Sequence, residues 1–479
     1  MPCHAPMDPA FIDRPAATSR LSDTEISVDP RTTSRRTFLS LALSAPLAGA
    51  ALAACGSSGP SQSNSGGGGG GGGAAAGGAT YWTLTGQPGE GIRKNAVDAF
   101  NKANASDKIA VTMFQNDAYK TKIKTAIGAG QAPTLIWGWG GGGLKSYVDA
   151  GQVEDLTSWF DENKDVKDRL FPSSFGAATI NDKIYAMPCE TVQPIILYYN
   201  KKAFEQVGAQ PPQSWGDIMD LVPKFNAKGI APFSLGGQSR WTNMMWLEFL
   251  FDRIGGSEVF QAVFEGEKDA WNNPASIQGL TEVQKLVKAN GFIKGFSSIT
   301  ADSNADQALL YTGKAAMMLH GSWTYGSMKN DGGDFVKGGN LGWMNFPGVD
   351  GGKGDVSDTV GNPGQYISIS SKATDAQKET AKKFFKTGVL TDAEIKEWVD
   401  SGSVPIVKNA ESALSASPDA EFLKFIYDTS SKAKVFAQSW DQALSPTAAE
   451  RLLDNIAQLF QLSISPQQFA SNMNQVIGT

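Results

Sequence analysis

The sequence predicts an α/β protein with more than one domain. Strand-like and helix-like periodicities alternate along most of the chain after residue 80. At 479 residues the chain exceeds what a single hydrophobic core usually organises. Hydrophobic residues at 41% and charged residues at 19% are ordinary for a soluble globular protein. No repeat with the period of a solenoid or propeller is visible.

The elements follow in order. Residues 80–84 (Thr-Tyr-Trp-Thr-Leu) are rich in β-branched and aromatic side chains and read as an opening strand. After the turn Gly86-Gln87-Pro88-Gly89, the spacing of Ile92, Ala96, Phe100 and Ala103 predicts a helix. Ile109, Val111 and Met113 alternate with polar residues, as a strand does, and Tyr119, Ile123 and Ile127 mark a second helix. Pro133 precedes the apolar strand 134–137. This β-α-β-α-β order implies a mainly parallel sheet with helices on both faces. Residues 195–199 read as a buried strand running into Asn200. Residues 244–250, 277–287 and 448–460 read as helices, the last with one apolar stripe of Ala449, Leu452, Leu453, Ile456, Leu459 and Phe460.

The first 79 residues carry a different kind of pattern. Ser34-Arg35-Arg36-Thr37-Phe38-Leu39 resembles a twin-arginine export signal. The apolar stretch to Ala54 is short for a membrane span, which needs roughly 20 apolar residues, and fits a signal segment. It ends in Leu52-Ala53-Ala54-Cys55, which resembles a lipoprotein processing site, so Cys55 is the expected lipidated N-terminus. A glycine run from Gly66 to Gly73 then reads as a flexible tether. It lacks the Gly-Lys-Ser/Thr ending and flanking strand of a phosphate loop.

Composition excludes several chemistries. A net charge of −6 argues against nucleic acid as a partner. The cysteines Cys3, Cys55 and Cys189 form no disulfide or metal framework. Only His4 and His320 occur, which argues against zinc chemistry. Cys189 reads as a buried structural thiol. Twelve Trp is a high count, and some are expected in a cleft rather than a core.

Four segments carry a resemblance. They are Ala132-Pro133-Thr134-Leu135-Ile136-Trp137, Tyr198-Tyr199-Asn200-Lys201-Lys202-Ala203-Phe204 with Gly208, Pro211-Pro212 and Ser214-Trp215, Trp241-Thr242-Asn243-Met244-Met245-Trp246 with Gly255-Gly256, and Met317-Met318-Leu319-His320-Gly321-Ser322-Trp323. Together, and in this order, they resemble the family 1 extracellular solute-binding lipoproteins of bacterial carbohydrate ABC transporters. The segment Trp137-Gly138-Trp139 with Gly140 to Gly143 looks closest to actinobacterial binders of xylobiose and other oligosaccharides. The resemblance implies a two-lobed periplasmic-binding-protein fold of type II character, each lobe a mainly parallel sheet flanked by helices, joined by a multi-segment hinge. On that reading residues 1–54 are signal peptide and 55–79 lipidated Cys and tether. Residues 80–190 and 313–373 form the N-terminal lobe, and 191–312 and 374–479 the C-terminal lobe. It further implies a monomer that is not an enzyme and uses no cofactor. Such a protein sits lipid-anchored on the outer face of the cell membrane, binds a sugar between its lobes and delivers it to the transmembrane subunits of an ABC permease.

The residues suit a sugar. A pyranose offers an apolar C–H face to an indole, and each hydroxyl needs a donor and an acceptor once desolvated. Trp137 and Trp139 end a strand beside a glycine loop, and ligands of open α/β sheets bind outside the carboxyl ends of strands. Trp323 ends another apolar strand. Trp440, Asp441 and Gln442 form an aromatic-polar group before the last long helix; the adjoining Trp440 favours a ligand-facing Asp441 over a helix-cap or turn residue. Asn362 and Gln365 stand on a glycine-rich turn. Gln238, Arg240 and Trp241 form a similar group, with a surface ion pair an equal account of Arg240. Glu190 and Gln193 precede the buried strand, where a structural hydrogen bond is as good a reading as a cleft position. Trp82 completes the candidates, with core packing favoured. Two rival readings remain. One is an exported glycoside hydrolase using carboxylates such as Glu190 and Asp441, which would have to stand roughly 5–9.5 Å apart. The other is a binder of a non-sugar solute such as a peptide, polyamine or metal.

Overall fold

A computed structural model of the chain describes residues 78–408 and 410–479. The expected signal segment, the lipidated Cys55 and the glycine tether lie outside the described residues.

Fourteen strands run along the described chain: β1 (Ala79–Leu84), β2 (Ile109–Phe114), β3 (Leu135–Gly138), β4 (Thr179–Ile180), β5 (Lys183–Ile184), β6 (Met187–Cys189), β7 (Thr191–Asn200), β8 (Ala231–Phe233), β9 (Ala315–Gly321), β10 (Leu341–Met344), β11 (Thr359–Asn362), β12 (Gln365–Ile369), β13 (Val404–Pro405) and β14 (Phe436–Gln438). The helix Gly89–Ala103 buries Ile92, Val97 and Phe100, and the helix Asn116–Gly128 buries Tyr119, Ile123, Ala126 and Ile127. Both faces carry the 3.6-residue spacing visible in the sequence.

Two sheets build two lobes. The first runs β2-β1-β3-β12-β6 and the second β14-β11-β7-β9-β8, with β10 and β13 also on β7. The pairing is mixed rather than mainly parallel. β1 pairs parallel with β2 and β3, whereas β12 runs antiparallel to both β3 and β6. In the second sheet only β8–β9 and β11–β14 are parallel. β12 enters the first sheet directly from β11 of the second, across residues 363–364, with no helical crossover to turn it parallel.

The chain passes between the sheets at Glu190, which separates β6 from β7, and again at residues 363–364, between β11 and β12. β7 is long enough to serve both cores. Ile196 and Tyr198 face the first, Ile195 and Leu197 the second, by the two-residue alternation of a strand.

The sheets divide the chain differently from the boundaries expected above. β9, β10 and β11 fall within residues 313–373 but belong to the second sheet. The helices Asp375–Thr387, Asp392–Asp400 and Ala420–Ser431 fall within residues 374–479. They nevertheless bury Phe384, Phe385, Trp398 and Phe422 in the first core. An apolar strand or stripe reads the same whichever sheet it joins, so local pattern carries no information on the lobe. Cys189 is a buried free thiol on β6, and burial first, then neighbouring Glu190, pushes its pKa up. It is an inert core group.

Candidate functional site

Between the lobes lies a chamber of about 220 Å³. The first lobe contributes the carboxyl ends of β1 and β3 with the start of the helix Asn116–Gly128. The second contributes the start of the helix Trp241–Gly255, the end of β9 and the loop after β14. Both sides therefore follow the strand-end rule.

Five indoles line the chamber: Trp137, Trp139, Trp241, Trp323 and Trp398. Trp137 and Trp139 meet edge to face with centroids 4.7 Å apart. Trp137 is nearly buried, and its Nε1 donates to Glu190 Oε1 at 2.7 Å. Trp139, Trp241 and Trp323 are half-buried and present free ring surface. Trp241 and Trp323 stand 5.4 and 5.5 Å from the His320 ring, each at a steep angle to it.

Three residues that line this chamber carry a buried polar atom without a hydrogen-bond partner: Asn362 Oδ1, Gln307 Oε1 and His320 Nε2. His320 Nδ1 accepts from the Gly321 amide at 2.9 Å, so Nε2 carries the ring proton. Asp306 Oδ2 lies 3.3 Å from that nitrogen but is not aligned to accept from it, and it too is unpartnered. The residues of the chamber lining thus carry one donor and two acceptors without partners, the complement of hydroxyl groups.

The charged groups are already paired. Arg93 donates twice to Glu190, and burial of the pair's guanidinium is outweighed by that carboxylate, which holds the Arg93 pKa above its ordinary value. Lys120 Nζ lies 2.9 Å from Asp441 Oδ2. Asp302 Oδ2 accepts from the Asp117 amide at 3.0 Å, and its pKa is raised first by burial. Asp117 Oδ1 accepts from Trp241 Nε1 at 3.2 Å. Three of these contacts, Lys120–Asp441, Asp117–Asp302 and Asp117–Trp241, join one lobe to the other.

Of the sequence candidates, the chamber collects Trp137, Trp139, Gln193, Trp241, Trp323, Asn362, Asp441 and Gln442. Six others stand elsewhere. Trp440 is buried in the second core, stacked on Phe260 at 4.4 Å and flanked by Phe251 and Trp271. Gln365 is fully buried and accepts from the Thr191 amide across the hinge. Glu190 sits behind the chamber wall, held by Arg93 and Trp137. Gln238 and Arg240 line an outer groove, where Arg240 pairs with Glu450 and Asp454. Trp82 packs on Phe114 at 5.0 Å.

The sequence reading missed Lys120, Asp302, Gln307 and His320 as chamber residues. The strand-end rule, applied to β2 as it was to β3, would have pointed to Gln115, Asn116 and Lys120. Gln307 and His320 carried no such signal. A larger cavity of about 1190 Å³ opens elsewhere, among Phe171, Tyr427 and the last residues of the chain. It gathers no comparable set of indoles, and the smaller chamber remains the candidate site. Among the described residues no group of three or more His, Cys, Asp or Glu could hold a metal ion.

Residues 82–394 match the family described as bacterial extracellular solute-binding protein. A multiple sugar-binding protein of Streptococcus mutans is 28% identical over 288 residues, 55% of this chain and 65% of that protein. The diacetylchitobiose binding protein NgcE of Streptomyces coelicolor is 30% identical over 190 residues, 37% of this chain and 38% of that protein. The chain spans less than two thirds of the length of these relatives. A solved structure from work on xylan utilization by the thermophilic bacterium Caldanaerobius polysaccharolyticus is 30% identical. It superposes with a TM-score of 0.75 over 84% of this chain and 100% of its own. A chitin oligosaccharide binding protein, 24% identical, has the same two-lobed fold at a TM-score of 0.75 over 83% of this chain and 97% of its own.

Proposed function

We propose that this chain, which belongs to the bacterial extracellular solute-binding proteins, captures a neutral sugar between its lobes and delivers it to the permease of an ABC importer. Members of this family bind solutes rather than convert them. The observation that carries the sugar reading is the meeting, in one chamber, of half-buried indoles with the unpartnered Asn362 Oδ1, Gln307 Oε1 and His320 Nε2. Trp139, Trp241 and Trp323 are the stacking surfaces on this reading. Asp441 and Gln442 add hydrogen bonds from the second lobe.

The ligand is a short saccharide, with a xylobiose-type disaccharide the first to test. The likeness to the structure from work on xylan utilization supports that choice. Sugar binds one lobe first, and closure follows because only the closed form contacts it from both sides. The protein works as a monomer anchored through Cys55 after twin-arginine export. A Cys55→Ala variant that stays with the membrane fraction would end the anchoring part of this reading.

The test of sugar capture is a thermal-shift panel of xylose, xylobiose and other mono- and oligosaccharides. Ligand at a hundredfold excess over Kd stabilises the folded state by about 2.7 kcal/mol, so a binder raises Tm by several degrees. If no sugar in the panel moves Tm, or if oligosaccharides are cleaved on incubation, the proposal is wrong.

A further inference from the structure

Lys120 occupies the gap between two of the chamber indoles. Its Nζ lies 5.0 Å from the Trp139 ring centroid and 6.0 Å from that of Trp241. It also makes the 2.9 Å ion pair with Asp441, and the two side chains are 23% and 6% exposed. The lysine comes from the helix Asn116–Gly128 of the first lobe, the aspartate from the short helix Trp440–Ala443 of the second.

On the inner side of this cluster lies the chamber of about 220 Å³. On the outer side lies a groove of about 700 Å³, bordered by Tyr147, Gln238, Arg240 and Glu450. Lys120, Trp139, Trp241, Asp441 and Gln442 line both spaces. They are therefore the partition between them. The inner volume is below the roughly 300–1,000 Å³ common for drug-sized ligands, whereas the two spaces together fall within it.

We propose that Lys120 is a retractable plug that sets the length of the bound saccharide. This rests on the sugar-binding reading above and deepens it. With the ammonium between Trp139 and Trp241, the chamber holds one ring and the chain ends there. A second ring reaches the outer groove only by taking the place of the ammonium between the indoles. The flat ring surfaces that hold the cation by its charge are equally suited to the C–H face of a sugar. The lysine can leave because its four-carbon stem is flexible and its charge is readily hydrated at the groove. Leaving forfeits two ring contacts and the bond to Asp441. That loss falls on longer ligands and spares single-ring ones.

The experiment is calorimetric titration of a matched pair, one ring against two of the same sugar: xylose and xylobiose, glucose and cellobiose, or N-acetylglucosamine and chitobiose. The proteins are the native chain, Lys120→Ala and Lys120→Arg. Emptying the gap in Lys120→Ala should raise the ratio of two-ring to one-ring affinity about tenfold, the equivalent of roughly 1.4 kcal/mol. Lys120→Arg refills the gap with a charged side chain and should return the ratio to near its native value. A structural role for Lys120 would move both affinities together and leave the ratio alone. An unchanged or lowered ratio in Lys120→Ala overturns the plug while sugar capture stands. Native protein that binds neither member of any pair overturns sugar capture itself, and the plug with it.

Discussion

Glu190 accepts two hydrogen bonds from the Arg93 guanidinium, one from Nε and one from Nη2, each 2.8 Å long. A third, from Trp137 Nε1, reaches the same carboxylate at 2.7 Å. Glu190 stands where the chain crosses between lobes, in a left-handed backbone conformation with φ 64°. The carboxylate thus ties the hinge crossing to the helix Gly89–Ala103 and fixes the first indole of the chamber wall. With its oxygens engaged it is poorly placed to act as a hydrolytic acid or to meet a ligand.

Glu190→Gln should therefore destabilise the protein rather than remove a ligand contact. Breaking one side of a buried ion pair leaves the other charge uncompensated and costs about 3–5 kcal/mol. Urea titration followed by tryptophan fluorescence measures it. A variant of native stability that no longer binds sugar would reverse the assignment and return Glu190 to the site.

The tryptophans should separate into two classes. Trp440→Ala opens a cavity against Phe260, Phe251 and Trp271, and such truncations cost about 3–5 kcal/mol. Trp323→Ala and Trp241→Ala, at half-buried positions facing the chamber, should lower sugar affinity at least tenfold, or about 1.4 kcal/mol, with a smaller loss of stability. Melting curves and titrations on the three variants decide the matter. Equal stability losses in all three would mean that the chamber indoles are core residues.

These outcomes bear on how far the sequence could be read. Trp137, Trp139 and Trp323 were legible because each ends an apolar strand, and strand ends are where an open sheet exposes a ligand site. Trp440 misled because Asp441 and Gln442, its neighbours, do face the chamber. One residue earlier on the same short helix the side chain points to the opposite side, into the core. Lys120 gave no sign of its partner, which lies 321 residues away, and a lone lysine on an amphipathic helix looks like a solvated face. Which sheet took β9, β10 and β11 was equally hidden. Register and partner choice depend on long-range packing, while the apolar pattern records only that each strand is buried.

Stability should fall as pH rises from about 4.5 to about 7. Glu394 is buried and its pKa is pushed up to about 7, first by burial, against hydrogen bonds from Trp398 Nε1 and the Leu390 amide that favour the charged form. In the unfolded chain it titrates near 4.5. Across that window the folded state holds a proton that the unfolded state has lost, so the contribution is complete below the lower value and gone above the upper. The shift corresponds to about 3 kcal/mol. Urea midpoints at several pH values measure the slope, and Glu394→Gln should flatten it. An equal slope in the variant would assign the pH dependence to other carboxyls, of which Glu248, also raised by burial, is the next to replace.

Lobe closure should depend on Gly142. It lies in the first turn of the helix Gly141–Asp149 of the first lobe, against the loop after β14 in the second. A Cβ at this position would stand 2.2 Å from the Leu444 carbonyl oxygen and 2.6 Å from that of Ala443. Both are backbone atoms, so no side-chain rotation relieves the clash. Overpacking of this kind costs about 1–3 kcal/mol, and here it falls on the closed form, since parted lobes remove the contact. Alanine is also the better helix residue, by about 1 kcal/mol. Gly142→Ala should accordingly leave the ligand-free protein as stable as the native one or slightly more so. Its sugar affinity should fall about tenfold, the equivalent of roughly 1.4 kcal/mol. Melting of the free protein and titration with sugar give the two halves of the result. Full affinity in Gly142→Ala would show that ligand is held without this contact being made.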